Sequence, residues 1–146
     1  MSRINGGRVV IGGLAAGVVM NLIDGLTNGM LLATQWKAET EQLNPGLMAK
    51  AATSSTVGWI LVDFILGLMI VWLYAAIRPR FGAGPTTAAR AGLAAWLISH
   101  IFYFSYVFMG LYSFRLIAAS SGAGLVAAMV GAYIGGRVYQ EATARV

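Results

Sequence analysis

The sequence predicts an all-α membrane protein with four transmembrane helices in an up-down antiparallel bundle. Hydrophobic residues make up 58% of the chain and charged residues only 10%, whereas a soluble domain carries roughly 25% charged residues. The apolar residues gather into four long runs. The basic residues fall in the short stretches between those runs and divide unequally between the two sides the runs define.

Spanning ~30 Å of hydrocarbon takes about 20 residues of helix. Four segments meet this, at about 9–33, 57–77, 91–112 and 116–134, and they make a single transmembrane domain over residues 1–146. The first run follows Met-Ser-Arg-Ile-Asn-Gly-Gly-Arg. That start resembles a secretory signal, but the apolar run is longer than a signal core and no small-x-small cleavage pattern follows it. It is therefore expected to be the first span. Pro45, Pro79 and Pro85 are all expected in connections, where a missing N–H costs least. Asn44-Pro45 looks like an N-cap followed by proline at the first helical position, so the second helix is expected to begin well before its span. The first helix is expected to continue past Ala33 towards Leu43, with Trp36 at the interface. The connection around Ser113 to Arg115 is very short, which makes the last two helices antiparallel neighbours.

Orientation follows from the basic residues. Arg3, Arg8, Arg78, Arg80, Arg90, Arg137 and Arg145 fall on one side, and Lys37, Lys50 and Arg115 on the other. The richer side is expected to be cytoplasmic, which puts both termini inside and the connection over residues 34–56 outside.

Net charge is +5 with no cysteine and one histidine, His100. Disulfides, iron–sulfur clusters and thiol catalysis are excluded, and no metal site or cofactor is expected. The expected partners are membrane lipids, with a homo-oligomer or a larger membrane complex as further possibilities. Nucleic acid is not expected, because no basic helix or aromatic stacking platform accompanies the charge.

Two stretches carry a resemblance. They are Asn28-Gly-Met-Leu-Leu-Ala-Thr-Gln-Trp36 and Val71-Trp-Leu-Tyr-Ala-Ala-Ile-Arg-Pro-Arg-Phe-Gly-Ala-Gly-Pro85. The chain resembles a group of small bacterial four-helix membrane proteins with no established function, over most of its length. The resemblance implies the same topology and a bacterial inner membrane. It brings no catalytic residues with it.

Asp24 and Asp63 are the charged residues well inside the expected spans. A carboxylate at the bilayer centre costs about 2.5–3.5 kcal/mol on insertion scales, so such residues face a bundle interior. Helical rise puts both in the outer half, roughly 4–6 Å from the midplane. Gly17, Asn21, Asp24 and Asn28 share one face of the first helix, and Trp59, Asp63, Gly67, Ile70 and Tyr74 one face of the second. Ser99, Tyr103, Tyr106 and Gly110 share a face of the third, with His100 beside them. Ser120, Gly124, Ala128, Gly131 and Gly135 give the fourth helix a small-residue face that allows close approach.

The candidate polar site is therefore Asn21, Asp24, Asn28, Asp63, His100, Tyr103 and Tyr106, with Gly124, Gly131 and Gly135 as packing residues. Two acids without a buried lysine or arginine leave a charge deficit. A proton, a bound cation or a charged His100 would meet it, and each suits a proton- or cation-linked transporter or channel-like protein. The same residues can instead simply hydrogen-bond between helices, at ~0.6 kcal/mol each. An alternative role is a structural or accessory subunit docked through the glycine-rich faces. Ser99, His100 and Asp63 include the residue types of a hydrolase triad, but no nucleophile elbow or oxyanion loop accompanies them, so the sequence does not favour an enzyme.

Overall fold

A computed structural model describes residues 4–140. Those residues form helices and turns with no strand among them. The chain is an all-α polytopic membrane protein, with four helical stretches long and apolar enough to span a bilayer: Gly6–Leu31, Leu47–Phe81, Pro85–Phe108 and Phe114–Val138. In detail, α1 (Gly6–Leu26) passes through a π-helical turn (Thr27–Leu31) into α2 (Ala33–Leu43). Then follow α3 (Leu47–Phe81), α4 (Pro85–Tyr103), the short α5 (Ser105–Phe108) and α6 (Phe114–Val138).

Local chemistry sets the helix starts. Asn5 caps α1 by accepting the Arg8 N–H at 3.2 Å, and Ser113 caps α6 by accepting the Leu116 N–H at 3.2 Å. Each side-chain oxygen satisfies a backbone donor that the first turn leaves free.

Helices α1, α3 and α6 pack on one another, and α4 packs against α6 and α3. Lipid is as apolar as leucine, so close packing rather than water exclusion holds such helices together. Glycines supply the closeness. A Cβ on Gly67 would lie 2.5 Å from the Gly13 carbonyl oxygen and 2.7 Å from the Gly17 nitrogen. A Cβ on Gly12 would lie 2.8 Å from the Gly135 oxygen. Gly13 and Gly17 form a small-x-x-x-small pair that holds α1 against α3, and Gly12 and Gly135 bring α1 to α6. Around these contacts Ala16, Ile70, Val71, Leu116 and Ile117 are fully buried.

The two ends of the described chain meet. The Asn5 N–H donates to the Tyr139 hydroxyl at 3.3 Å, Tyr139 packs edge-on against Tyr74 at 6.0 Å, and the Tyr74 hydroxyl accepts the Gly84 N–H at 3.2 Å. Arg8, Arg78, Arg80, Arg90 and Arg137 belong to this end. Lys37, Lys50 and Arg115 belong to the other. Arg3 and Arg145 lie outside the described residues.

Several local expectations change. The Leu47 N–H donates to the Asn44 oxygen at 3.1 Å, and Gly46 sits at φ 78°, ψ 2°. Asn44 to Leu47 is thus a turn of the type II class, which places proline second and glycine third, and α3 starts at Leu47 without an Asn44 cap. Pro79 lies inside α3, not in a connection. The helix runs past it because the proline is near the helix end, where few bonds depend on it. The stop comes at Gly82 and Gly84, whose φ of 81° and 136° an L side chain rarely adopts. The third helix begins at Pro85 and ends at Tyr103, and Gly110 sits in the following turn at φ 70° rather than on its face. Trp59 is 58% exposed and so leaves the face that buries Asp63.

Candidate functional site

Asp63 occupies the bundle-facing side of α3, one turn before Gly67. The Gly67 contact presses α3 onto α1 and carries Asp63 inwards, so it is only 5% exposed. Asp24 is half-buried on α1. The two carboxyl groups lie close enough to act on each other electrostatically. An ionised carboxylate only accepts hydrogen bonds, so any bond between two carboxyls needs a proton on one of them.

The π-helical turn follows directly. The Leu32 N–H bonds back five residues to the Thr27 oxygen at 2.8 Å. Such turns are frequent at functional sites. Beyond it, Trp36 of α2 reaches back to Asn28. The Trp36 indole N–H donates to Asn28 Oδ1 at 3.2 Å, and Asn28 Nδ2 is 3.5 Å from Asp24 Oδ1. A polar line thus runs from Trp36 through Asn28 to the acid pair.

A second line runs along α4. Trp96 stacks on His100 at 5.3 Å, His100 meets Tyr103 edge-on at 5.5 Å, and Tyr103 meets Tyr106 at 5.7 Å. Tyr106 meets Tyr112 at 6.2 Å, and Tyr112 meets Trp36 at 5.1 Å. Edge-to-face pairs at these separations are favourable. Tyr103 shares a hydrogen bond of 3.1 Å with the buried Ser120 hydroxyl. Trp36 therefore stands where the two lines meet, bonded to Asn28 and packed on Tyr112.

The structure brings Asp24 together with Asp63 and Asn28, whereas Tyr103 and Tyr106 belong to the aromatic line. Asn21 does something else. Its amide donates to the Gly17 oxygen at 2.9 Å and the Ile60 oxygen at 3.3 Å, which ties α1 to α3 between the levels of the two acids. His100 packs beside Tyr103, but its Nδ1 lies 3.1 Å from the Trp96 oxygen and 3.0 Å from Ser99 Oγ. A carbonyl only accepts, so Nδ1 carries the proton. Ser99 donates to the Ala95 and Trp96 carbonyls at 3.0 and 3.1 Å. Ser99 and His100 are thus bonded to their own helix and do not form a nucleophile–base pair aimed at Asp63. Among the described residues, no three histidines or acids converge as metal ligands.

Gly124 fits under the imidazole: a Cβ there would lie 2.6 Å from His100 Nε2. Gly131 meets Met20, with a would-be Cβ 3.0 Å from Met20 Cγ. Gly135 meets Gly12 and Val71 across the interface with α1 and α3.

Sequence reasoning missed Trp36, Tyr112 and Ser120 as members of this cluster. It also missed a clasp at the end opposite the chain termini. The Ser113 N–H and hydroxyl donate to the two Glu39 carboxylate oxygens, each at 2.7 Å, and Gln35 Nε2 donates at 3.0 Å. Partial burial alone would push the Glu39 carboxyl up, but these bonds outweigh it and hold it below its usual value. Thr40 and Tyr112 add a 3.3 Å hydroxyl contact. The clasp seats α2 on the turn before α6 and borders an open cleft lined by Gln42, Gly110 and Leu111.

No protein-family model matches the chain, and neither does any curated protein or solved structure.

Proposed function

We propose that the protein is a proton- or cation-linked transporter or channel-like protein of a bacterial inner membrane, with both termini cytoplasmic and Asp24 and Asp63 as its exchange site. The observation that carries this is the proximity of two carboxyls inside an apolar bundle. Such a pair holds one labile proton, and a small monovalent cation can take the proton's place between the two oxygens. Insertion costs make intramembrane acids rare outside pathways and relays.

Further features support the reading. The π-helical turn and Trp36 stand between the pair and the outer end, where they can gate access. Asn28 supplies neutral polar atoms without adding a fixed countercharge. The glycine faces on which an accessory-subunit role would rest are instead used within the chain. Gly12, Gly13, Gly17, Gly67 and Gly135 all meet neighbouring helices. That favours the exchange reading over docking through those faces.

The test is flux in proteoliposomes carrying an entrapped pH-sensitive dye, with proton, sodium and potassium gradients imposed in turn. The parent collapses at least one gradient, and Asp24→Asn or Asp63→Asn abolishes that flux while the protein stays folded. A parent that passes none of these ions, or variants that match it, sinks the proposal.

A further inference from the structure

The end of the bundle that carries the chain termini holds a feature the exchange site does not use. α3 finishes at Phe81, and α4 starts four residues later. The turn at Gly82 and Gly84 folds the two ends together, so that Arg80 and Arg90 both reach the Phe81 ring. The Arg90 guanidinium carbon lies 4.5 Å from the ring centroid and that of Arg80 lies 6.0 Å away. Both arginines are exposed. The platform beneath them is fixed. The buried Thr87 hydroxyl donates to the Phe81 oxygen at 3.3 Å, and the Tyr74 hydroxyl holds the Gly84 N–H at 3.2 Å.

Two cations converging on one ring repel each other, and an anion between them would relieve that. No described acid supplies it. Asp24 and Asp63 lie within the bundle, away from this end, and Glu39 and Glu41 lie at the opposite end. A ring beneath a guanidinium holds its plane while leaving N–H donors free, and those donors match phosphate oxygens in pairs. The position matters as well. Phe81 ends a membrane-spanning helix, so its arginines stand at headgroup level.

We propose that Arg80 and Arg90, held on Phe81, bind the phosphate of an anionic phospholipid headgroup.

Native mass spectrometry of the full chain, released from nanodiscs of equal parts phosphatidylglycerol and phosphatidylcholine, tests this. The parent should retain phosphatidylglycerol in preference to phosphatidylcholine. Each of Arg80→Gln and Arg90→Gln should lower that preference about fivefold, the loss expected for one arginine at a charged surface. Arg115→Gln, at the opposite end, should leave it unchanged. Phe81→Leu keeps both charges and should still lower the preference, so it decides the matter if an arginine variant fails to fold. A parent without preference overturns the proposal, as does an equal loss in Arg115→Gln or full retention in Phe81→Leu. Inorganic phosphate separates the two sources of this chemistry. If it stabilises the detergent-solubilised parent as much as phosphatidylglycerol does, the site is for free phosphate and the lipid assignment is wrong.

Discussion

Gly67→Ala adds a single methyl group at the tightest point between α1 and α3. Its Cβ would lie 2.5 Å from the Gly13 oxygen, 2.7 Å from the Gly17 nitrogen and 3.0 Å from the Gly17 Cα. All three obstacles are backbone atoms, so no rotamer change can make room. Carbon atoms pack best at about 3.5–4.0 Å, and the two helices would have to part by about 1 Å. Overpacking of this kind costs about 1–3 kcal/mol, and an obstacle made of backbone puts the cost towards the upper figure. Alanine's better helix propensity returns up to about 1 kcal/mol. The net loss should be about 1–2 kcal/mol. Gly122→Ala is the control: nothing lies within 4 Å of its would-be Cβ, so it gains propensity without a clash. Thermal unfolding in one detergent should place Gly67→Ala below the parent and Gly122→Ala at or above it. Asp63 is one turn from Gly67, so ion flux should fall with stability. A Gly67→Ala protein as stable as the parent would refute the close α1–α3 packing and the burial of Asp63 that follows from it.

Other outcomes follow from the same geometry. Gly124→Ala meets the His100 ring at 2.6 Å, but a side chain can tilt where a backbone cannot, so its unfolding temperature should fall less than that of Gly67→Ala. Glu39→Gln should cost about 1 kcal/mol at neutral pH. That is below the ~1.5–3 kcal/mol of a buried charged hydrogen bond, because Glu39 is partly exposed. The Glu39 carboxyl is held below its usual value, so its contribution is complete above the unfolded value near 4.3 and is lost as pH falls through the lower folded value. Unfolding followed from pH 6 down to about pH 3 should show that loss in the parent and a shallower slope in Glu39→Gln. Topology is checked with an impermeant thiol reagent on intact cells. Gln42→Cys should react and Ala83→Cys should not, and the reverse pattern would invert the orientation.

The fold was readable because lipid solubility writes itself into composition and run length. Four spans, their order and the shared end of Arg8, Arg78, Arg80, Arg90 and Arg137 follow from where charges can stand. Local endings were less readable. Pro79 was expected outside the helix, and only Gly82 and Gly84 show where α3 stops, because a proline close to a helix end breaks few bonds. Asn44-Pro45 served equally well as a cap or as a turn, and Gly46 at positive φ decided for the turn.

Helical rise alone suggested one depth for the two acids, but the register that sets Gly17 against Phe64 and Asn21 against Ile60 puts Asp63 nearer than Asp24 to the end that carries the termini. Asn28 beside Asp24 followed from spacing. Trp36 did not, since reaching the cluster depends on a π-helical turn that shifts the phase of α2, and no residue type marks such a turn. Tyr112 and Ser120 belong to tertiary contacts between segments far apart in sequence. His100 drew attention as a lone histidine, but its nearest acceptor is its own helix. Gly13-x-x-x-Gly17 was the signal for the α1–α3 contact. It lay in the sequence beside the Gly17 that was read only as part of a polar face.

The proposed exchange site requires that Asp24 and Asp63 share one proton. Infrared difference spectroscopy of the parent in nanodiscs against each Asp→Asn variant tests it most directly. The shared proton predicts a protonated-carboxyl band in the parent that disappears in both Asp24→Asn and Asp63→Asn, because either change removes one half of the pair. A parent spectrum with carboxylate bands alone, unaffected by either substitution except for the loss of one carboxylate, would contradict it.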